Sequence, residues 1–136
     1  MDNKFYSICN QHKISIAPMM DCTDRHFRMI MRQISSHALL YTEMIVAQSL
    51  IFSKKKEKFL DFNKEEHPIS IQFGGDNPKF LSEVAKMAED WGYDEINFNV
   101  GCPSSKVSSG NFGASLMNHP EQVGICIEAL KTNCKL

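Results

Sequence analysis

The strongest constraint on this chain is a fourfold alternation of short apolar runs with longer amphipathic segments. SIAPMM (residues 15–20) reads as a strand. A helix follows over about 24–35, with Thr23 as its N-cap and Phe27, Ile30, Met31 and Ile34 on one face. LLYTEM (39–44) is a second strand, leading into a short helix over about 45–51. ISIQFGG (69–75) is a third, closed by paired glycines. Asn77-Pro78 then opens a helix whose buried face is Leu81, Val84, Ala85, Ala88 and Trp91, with Gly92 just past its end. EINFNVG (95–101) is the fourth strand. The last helix runs over about 120–131; Asn118 and Glu121 are spaced as a capping pair, and Val123, Cys126, Ile127 and Leu130 form its apolar face. The charged stretch SKKKEKFLDFNKEEHP (53–68) reads as a surface excursion.

Repeated strand–helix units predict a parallel sheet with helical crossovers. Two architectures fit: an open doubly wound sheet, or part of a (β/α)8 barrel. No GxGxxG follows the first strand, which weighs against the dinucleotide-binding version. With 43% hydrophobic and 23% charged residues in 136, the chain has material for a core and is no disordered segment. A net charge of −1 does not mark a nucleic-acid binder as a whole, so any such site is local. The polar N-terminus lacks the apolar run of a secretory signal, and no stretch is apolar enough to span a membrane; a cytoplasmic location is expected. Cys9, Cys22, Cys102, Cys126 and Cys134 are an odd set without a CxxC pair, which argues against a disulfide framework. The histidines have no metal-ligand spacing, and no metal is expected.

In either architecture ligands sit at the carboxyl ends of the parallel strands. Here those ends read PMMDCTDR, YTEM, QFGGDNP and NVGCPS. Cys102, between a glycine and a proline at a strand end, is placed to act as nucleophile or proton donor, or to pack as a small apolar residue. Gln72 interrupts an apolar run; its amide suits the edge of a flavin or uracil ring, or else neighbouring backbone. Asn97 and Asn99 alternate with apolar residues and are expected to face a barrel-like interior. Glu43 and the Asp21, Asp24, Arg25 group are less specific, since charges there often serve as caps or solvated pairs.

Taken together, APMMDCTDRHFR, LLYTEM, EEHPISIQFGGDNP, GYDEINFNVGCPSSKV and GNFGASLMNHPE closely resemble the tRNA-dihydrouridine synthases over about residues 13–131, in order. The likeness is greatest to the A-type branch, which acts on D-loop uridines 20 and 20a. It implies a (β/α)8 TIM barrel carrying FMN at the strand ends, NADPH as reductant and tRNA as substrate. Reduced flavin would give a hydride to uracil C6, and a cysteine the proton at C5. The target base would leave its stack to reach the flavin. Position by position, Cys102 matches the proton donor, Pro18, Met19 and Met20 the first-strand segment against FMN, Gln72 a flavin-contacting glutamine, and Asn99 an asparagine near the RNA.

Two departures from the pattern stand out. Ser115 replaces a cysteine in the usual FGACLM, a change expected to affect packing rather than chemistry. The sequence also stops at Leu136, after four β/α units. Residues 1–136 are thus read as the N-terminal part of the barrel, with its C-terminal half and a tRNA-binding helical domain absent. A barrel takes about 250 residues to close, so such a half would have open edges; it could pair with a second copy, bind its missing half, or remain unstable. The alternatives to a synthase are a non-catalytic remnant acting as an interaction module, or another FMN barrel oxidoreductase acting on a free pyrimidine.

Overall fold

A computed structural model describes residues 13–132 and 134–136; the polar N-terminal stretch with Cys9 lies outside the described residues. Four parallel strands form one sheet in the order β1-β2-β3-β4: Ser15–Ile16, Leu39–Val46, Ile69–Gly74 and Glu95–Phe98. Six α-helices accompany them: α1 (Arg25–Ile34), α2 (Ala47–Phe52), α3 (Glu57–Leu60), α4 (Pro78–Trp91), α5 (Ser105–Ser108) and α6 (Pro120–Thr132). Strand order that follows chain order is what successive β/α units in a barrel wall produce, whereas a doubly wound sheet reverses direction at a switch point. No helix among the described residues is long and apolar enough to cross a membrane.

Alternation along β3 divides the sheet into two chemically different faces. Ile69, Ile71 and Phe73 are fully buried against Leu81, Val84, Ala85 and Ala88 of α4 and form the core with Leu40, Leu50, Leu60 and Tyr93. Ser70, Gln72 and Gly74 point the other way. Register continues that second face across the sheet: Tyr41, Ser70 and Glu95 are aligned, then Met44, Gln72 and Asn97. This face is polar where a structural barrel interior would be filled with branched apolar side chains.

The helix at 78 forms as read. Asn77 caps α4, accepting from the N–H groups of Lys79 and Phe80, Pro78 occupies the first turn, and Gly92 ends it at φ 88°. Four of its five predicted inward residues are buried, while Trp91 is partly exposed.

Elsewhere the structure corrects the reading. β1 is only two residues long, and Pro18–Met20 belong to the loop after it. β4 ends at Phe98, although Asn99 N–H still donates to Phe73 O at 2.8 Å. Asp24, not Thr23, caps α1, its carboxylate accepting from Phe27 N–H. That hydrogen bond, with nearby His26 and Arg28, holds the Asp24 carboxyl below its usual range.

The buried residues of α1 are Arg28 and Arg32, whereas Ile30 and Ile34 are exposed. On α6, Cys126 and Leu130 are buried and Ile127 is exposed. Asn118 ends a 3-10 helix (Gly113–Asn118), and the first backbone bond of α6 goes from Val123 N–H to His119 O.

The charged stretch 53–68 runs along the surface as read, but it is structured and anchored. It contains α3, a 3-10 turn (Lys64–Glu66) and the fully buried Leu60 and Glu66. Glu66 closes a capping box with Asn63 and pairs with Arg28 at 2.5 Å. Arg32 Nη2 donates to the carbonyls of Glu66 and Pro68. Burial lowers the pKa of Arg32, opposed by the charges of Asp94 and Glu66.

Candidate functional site at the strand carboxyl ends

The site is assembled around Gln72, which is 6% exposed at the centre of the polar face. A bulge sets it there. Between the Tyr41–Ser70 and Met44–Gln72 pairs, β2 uses one residue more than β3, which disturbs the ladder. Thr42 fills the gap: its Oγ1 accepts the Gln72 backbone N–H at 3.1 Å and donates to Glu43 O at 2.8 Å.

The Gln72 side chain then lies between two asparagines. Its Nε2 donates to Asn97 Oδ1 at 2.7 Å, and its Oε1 accepts from Asn99 Nδ2 at 3.0 Å. Asn99 Oδ1 in turn accepts the backbone N–H groups of Gly101, at 3.2 Å, and Cys102, at 3.0 Å. An unbroken amide relay thus runs from Asn97 through Gln72 and Asn99 to the backbone of Cys102. The sequence offered the Gln72 amide a ring edge or neighbouring backbone; its amide is bonded instead to two side chains, Asn97 and Asn99.

Cys102 is half-buried and held from its other side as well: Ala114 N–H donates to Cys102 O at 2.9 Å. The approach is close at Gly113, where φ is +65° and a Cβ would lie 2.7 Å from Cys102 O. Val107, Phe112 and Leu116 form a small apolar cluster that packs on Met44, Val46 and Cys102. Ser115 Oγ donates to Phe112 O at 2.9 Å, a local bond consistent with the packing role expected of that position.

The loop after β1 is pinned by residues that sequence reasoning missed. Thr23 is fully buried; its Oγ1 accepts from Met19 N–H at 3.0 Å and donates to Met19 O at 3.1 Å. Asp21 takes a φ of 58° within this turn. Arg28 Nη1 donates to Thr23 O at 2.9 Å, so the Arg28–Glu66 pair anchors the turn to the 53–68 segment. The turn leaves Met19 and Met20 exposed, and Pro18 half-buried. The only advance signal was the i, i+4 spacing of Arg28 and Arg32 on one helix face.

Glu43 and Arg28 line a cleft of about 380 Å³ with Met20, Thr42, Met44 and Phe59. A wider cleft of about 590 Å³ lies between Asp76, Asn111, His119 and Gln122, and neither includes the relay residues. The relay lines the face of an open sheet, a wall rather than a cavity.

Four parallel β/α units in chain order, with a polar face on one side of the sheet, have the build of part of a β/α-barrel wall. The family model described as dihydrouridine synthase (Dus) matches residues 15–136, and the chain belongs to that family. It is 51% identical over 128 residues to a tRNA-dihydrouridine(20/20a) synthase of Synechocystis, covering 94% of this chain and 38% of the relative. A protein of the same description from Vibrio cholerae is 50% identical over 119 residues, 88% of this chain and 36% of its own length. One from Escherichia coli is 44% identical over 131 residues, 96% of this chain and 39% of its own length. The chain therefore spans well under half the length of these relatives, and corresponds to the first part of the family's barrel.

Proposed function

We propose that this chain is the N-terminal part of an FMN-dependent tRNA-dihydrouridine synthase that reduces D-loop uridines 20 and 20a, with Cys102 as the proton donor. The observation that carries the reading is the amide relay ending on the Cys102 backbone at the strand ends. The relatives' description as tRNA-dihydrouridine(20/20a) synthases supports the substrate.

The donor chemistry fits a flavin and a pyrimidine side by side. With the relay made, Gln72 Nε2 and Asn99 Nδ2 each retain one N–H, because a primary amide carries two. Such hydrogens match ring carbonyl oxygens, which both FMN and uracil present. Pro18, Met19 and Met20 would hold the flavin ring with Gln72, by apolar contact and backbone groups; Asn99 would orient the base. A flavin held there, once reduced by NADPH, would supply the hydride for uracil C6.

The remaining half of the reaction belongs to Cys102. Its Sγ–H gives the proton to C5, and the thiolate is reprotonated from solvent. The relay and the Ala114 bond hold Cys102 from both sides, as a positioned acid requires.

To test this, residues 15–136 are joined to the remaining part of the Vibrio cholerae relative. The hybrid is expected to bind FMN, oxidise NADPH and form dihydrouridine in tRNA. Its Cys102→Ala variant should retain flavin reduction and lose dihydrouridine. Normal product from that variant, or a hybrid that binds flavin but leaves tRNA untouched, would refute the assignment.

A further inference from the structure

Asn97 carries no role in the site described so far except as the acceptor at the far end of the relay. An amide has a donor end and an acceptor end, so contacts in a chain of three amides dictate one another. Two backbone N–H groups, of Gly101 and Cys102, demand an acceptor from Asn99. Asn99 must then turn Nδ2 to Gln72, and Gln72 must turn Oε1 to Asn99 and Nε2 away from it. Gln72 is buried, and Nε2 left without an acceptor there would be costly. Asn97 Oδ1 provides that acceptor at 2.7 Å.

Without it, Gln72 Nε2 stands unpaired in a buried place, and the amide recovers a partner only by swinging out of the relay. Reversing in place would not serve, because Asn99 would then set its own NH2 against two backbone donors. When Gln72 leaves, Asn99 Nδ2 loses its acceptor, and the anchor of the Cys102 loop loosens.

We infer that Asn97 is a positioning residue for Cys102: by accepting from Gln72 it keeps that side chain in the relay, where Gln72 holds Asn99 Nδ2 and so steadies Asn99 Oδ1 on the Cys102 loop. It acts through Gln72 and Asn99. The functional meaning of this rests on Cys102 being the proton donor, but the arrangement itself does not.

The test is the rate at which Cys102 is alkylated by iodoacetamide in the 136-residue chain, resolved by peptide mass spectrometry. The buried Cys126 serves as the internal reference. Asn97→Leu, close in size and lacking the acceptor, should raise the Cys102 rate about fivefold, the factor for one hydrogen bond of ordinary net strength. Asn97→Ala should do the same. Asn97→Asp, which keeps the acceptor, should stay within about twofold of the parent chain, a smaller change than losing that bond produces. Asn97→Leu combined with Asn99→Ala should be no faster than Asn99→Ala alone, since the first residue acts through the second.

Equal Cys102 rates in the parent and Leu chains, or effects that multiply in the double variant, would overturn the inference. So would loss of the native circular dichroism spectrum in both the Leu and Ala variants, which would assign Asn97 to the stability of the fold. Alkylation needs no turnover. Failure here therefore leaves the proton-donor assignment standing, and failure of the Cys102→Ala experiment leaves the relay standing.

Discussion

Arg28 and Glu66 meet with side chains 6% and 0% exposed, and they hold two segments 38 positions apart. Neither is isolated: Glu66 also accepts from Asn63 N–H, and Arg28 also donates to Thr23 O. Removing one member leaves the other buried without its counter-charge, so Glu66→Gln or Arg28→Leu should each cost about 3–5 kcal/mol in denaturant unfolding. Replacing both by apolar residues should recover much of that loss. A cost below about 1 kcal/mol for either single change, the worth of a surface pair, would show that the pair is solvated.

A second prediction at this scale concerns alkaline pH. Burial raises the thiol of Cys126 above 9.0 and the phenol of Tyr93 above 10.0. Each group binds its proton more tightly folded than unfolded. Their contribution to stability is therefore full below about pH 9 and is lost as pH rises beyond it. Thermal midpoints measured across that range should fall, and Cys126→Ala should flatten the first part of the decline. An unchanged slope in the Ala variant would show that Cys126 is not the group titrating.

Among the elements, α4 was the most legible, Trp91 apart, because local rules and burial agree there. Asn77 caps it, Pro78 starts it, four apolar residues at helical spacing enter the core, and Gly92 takes the left-handed conformation that ends it. Asn77→Ala should destabilise the protein by about 1 kcal/mol, the usual worth of a helix cap, and Asn77→Ser should restore most of it. Equal stability of Asn77→Ala and the parent would mean that the two N–H groups find water instead.

The helix α1 was legible in position but not in orientation. Periodicity offers an apolar stripe, yet Arg28 and Arg32 are buried because long-range partners await them: Glu66 for the first, the carbonyls of Glu66 and Pro68 for the second. Nothing local in residues 53–68 announces those partnerships, and so the segment reads as a solvated loop. The same holds for the β2 bulge, since an extra residue is visible only once β2 and β3 are paired. Of the site, Gln72, Asn99 and Cys102 were legible as polar residues at strand ends. Asn97 was legible only as an inward-facing residue, because its use depends on the cross-strand register with Gln72.

For the molecule as a whole, two pairs of exposed isoleucines stand out, one on α1 and one on α6. Ile30 and Ile34 are 59% and 73% exposed on α1, and Ile125 and Ile127 are 53% and 43% exposed on α6. β1 and β4 are the edge strands of the sheet. In a closed barrel those helices would have neighbours. Ile34→Asp should therefore change the stability of the 136-residue chain by no more than about 0.5 kcal/mol, as exposed positions do. In the hybrid with the Vibrio cholerae relative the same change should lower the melting temperature clearly. An equal effect in both proteins would mean that the α1 face stays solvated in the longer one.

A Cys102 that donates the proton completing uridine reduction should control how fast reduced flavin is consumed. The most direct measurement is the rate at which tRNA reoxidises the pre-reduced flavin of the hybrid in a single turnover. Losing a positioned acid typically costs a factor of about 10²–10⁴, so Cys102→Ala should slow reoxidation by that much while reduction by NADPH keeps its rate. A Cys102→Ala protein that reoxidises with tRNA as fast as the parent would contradict the account.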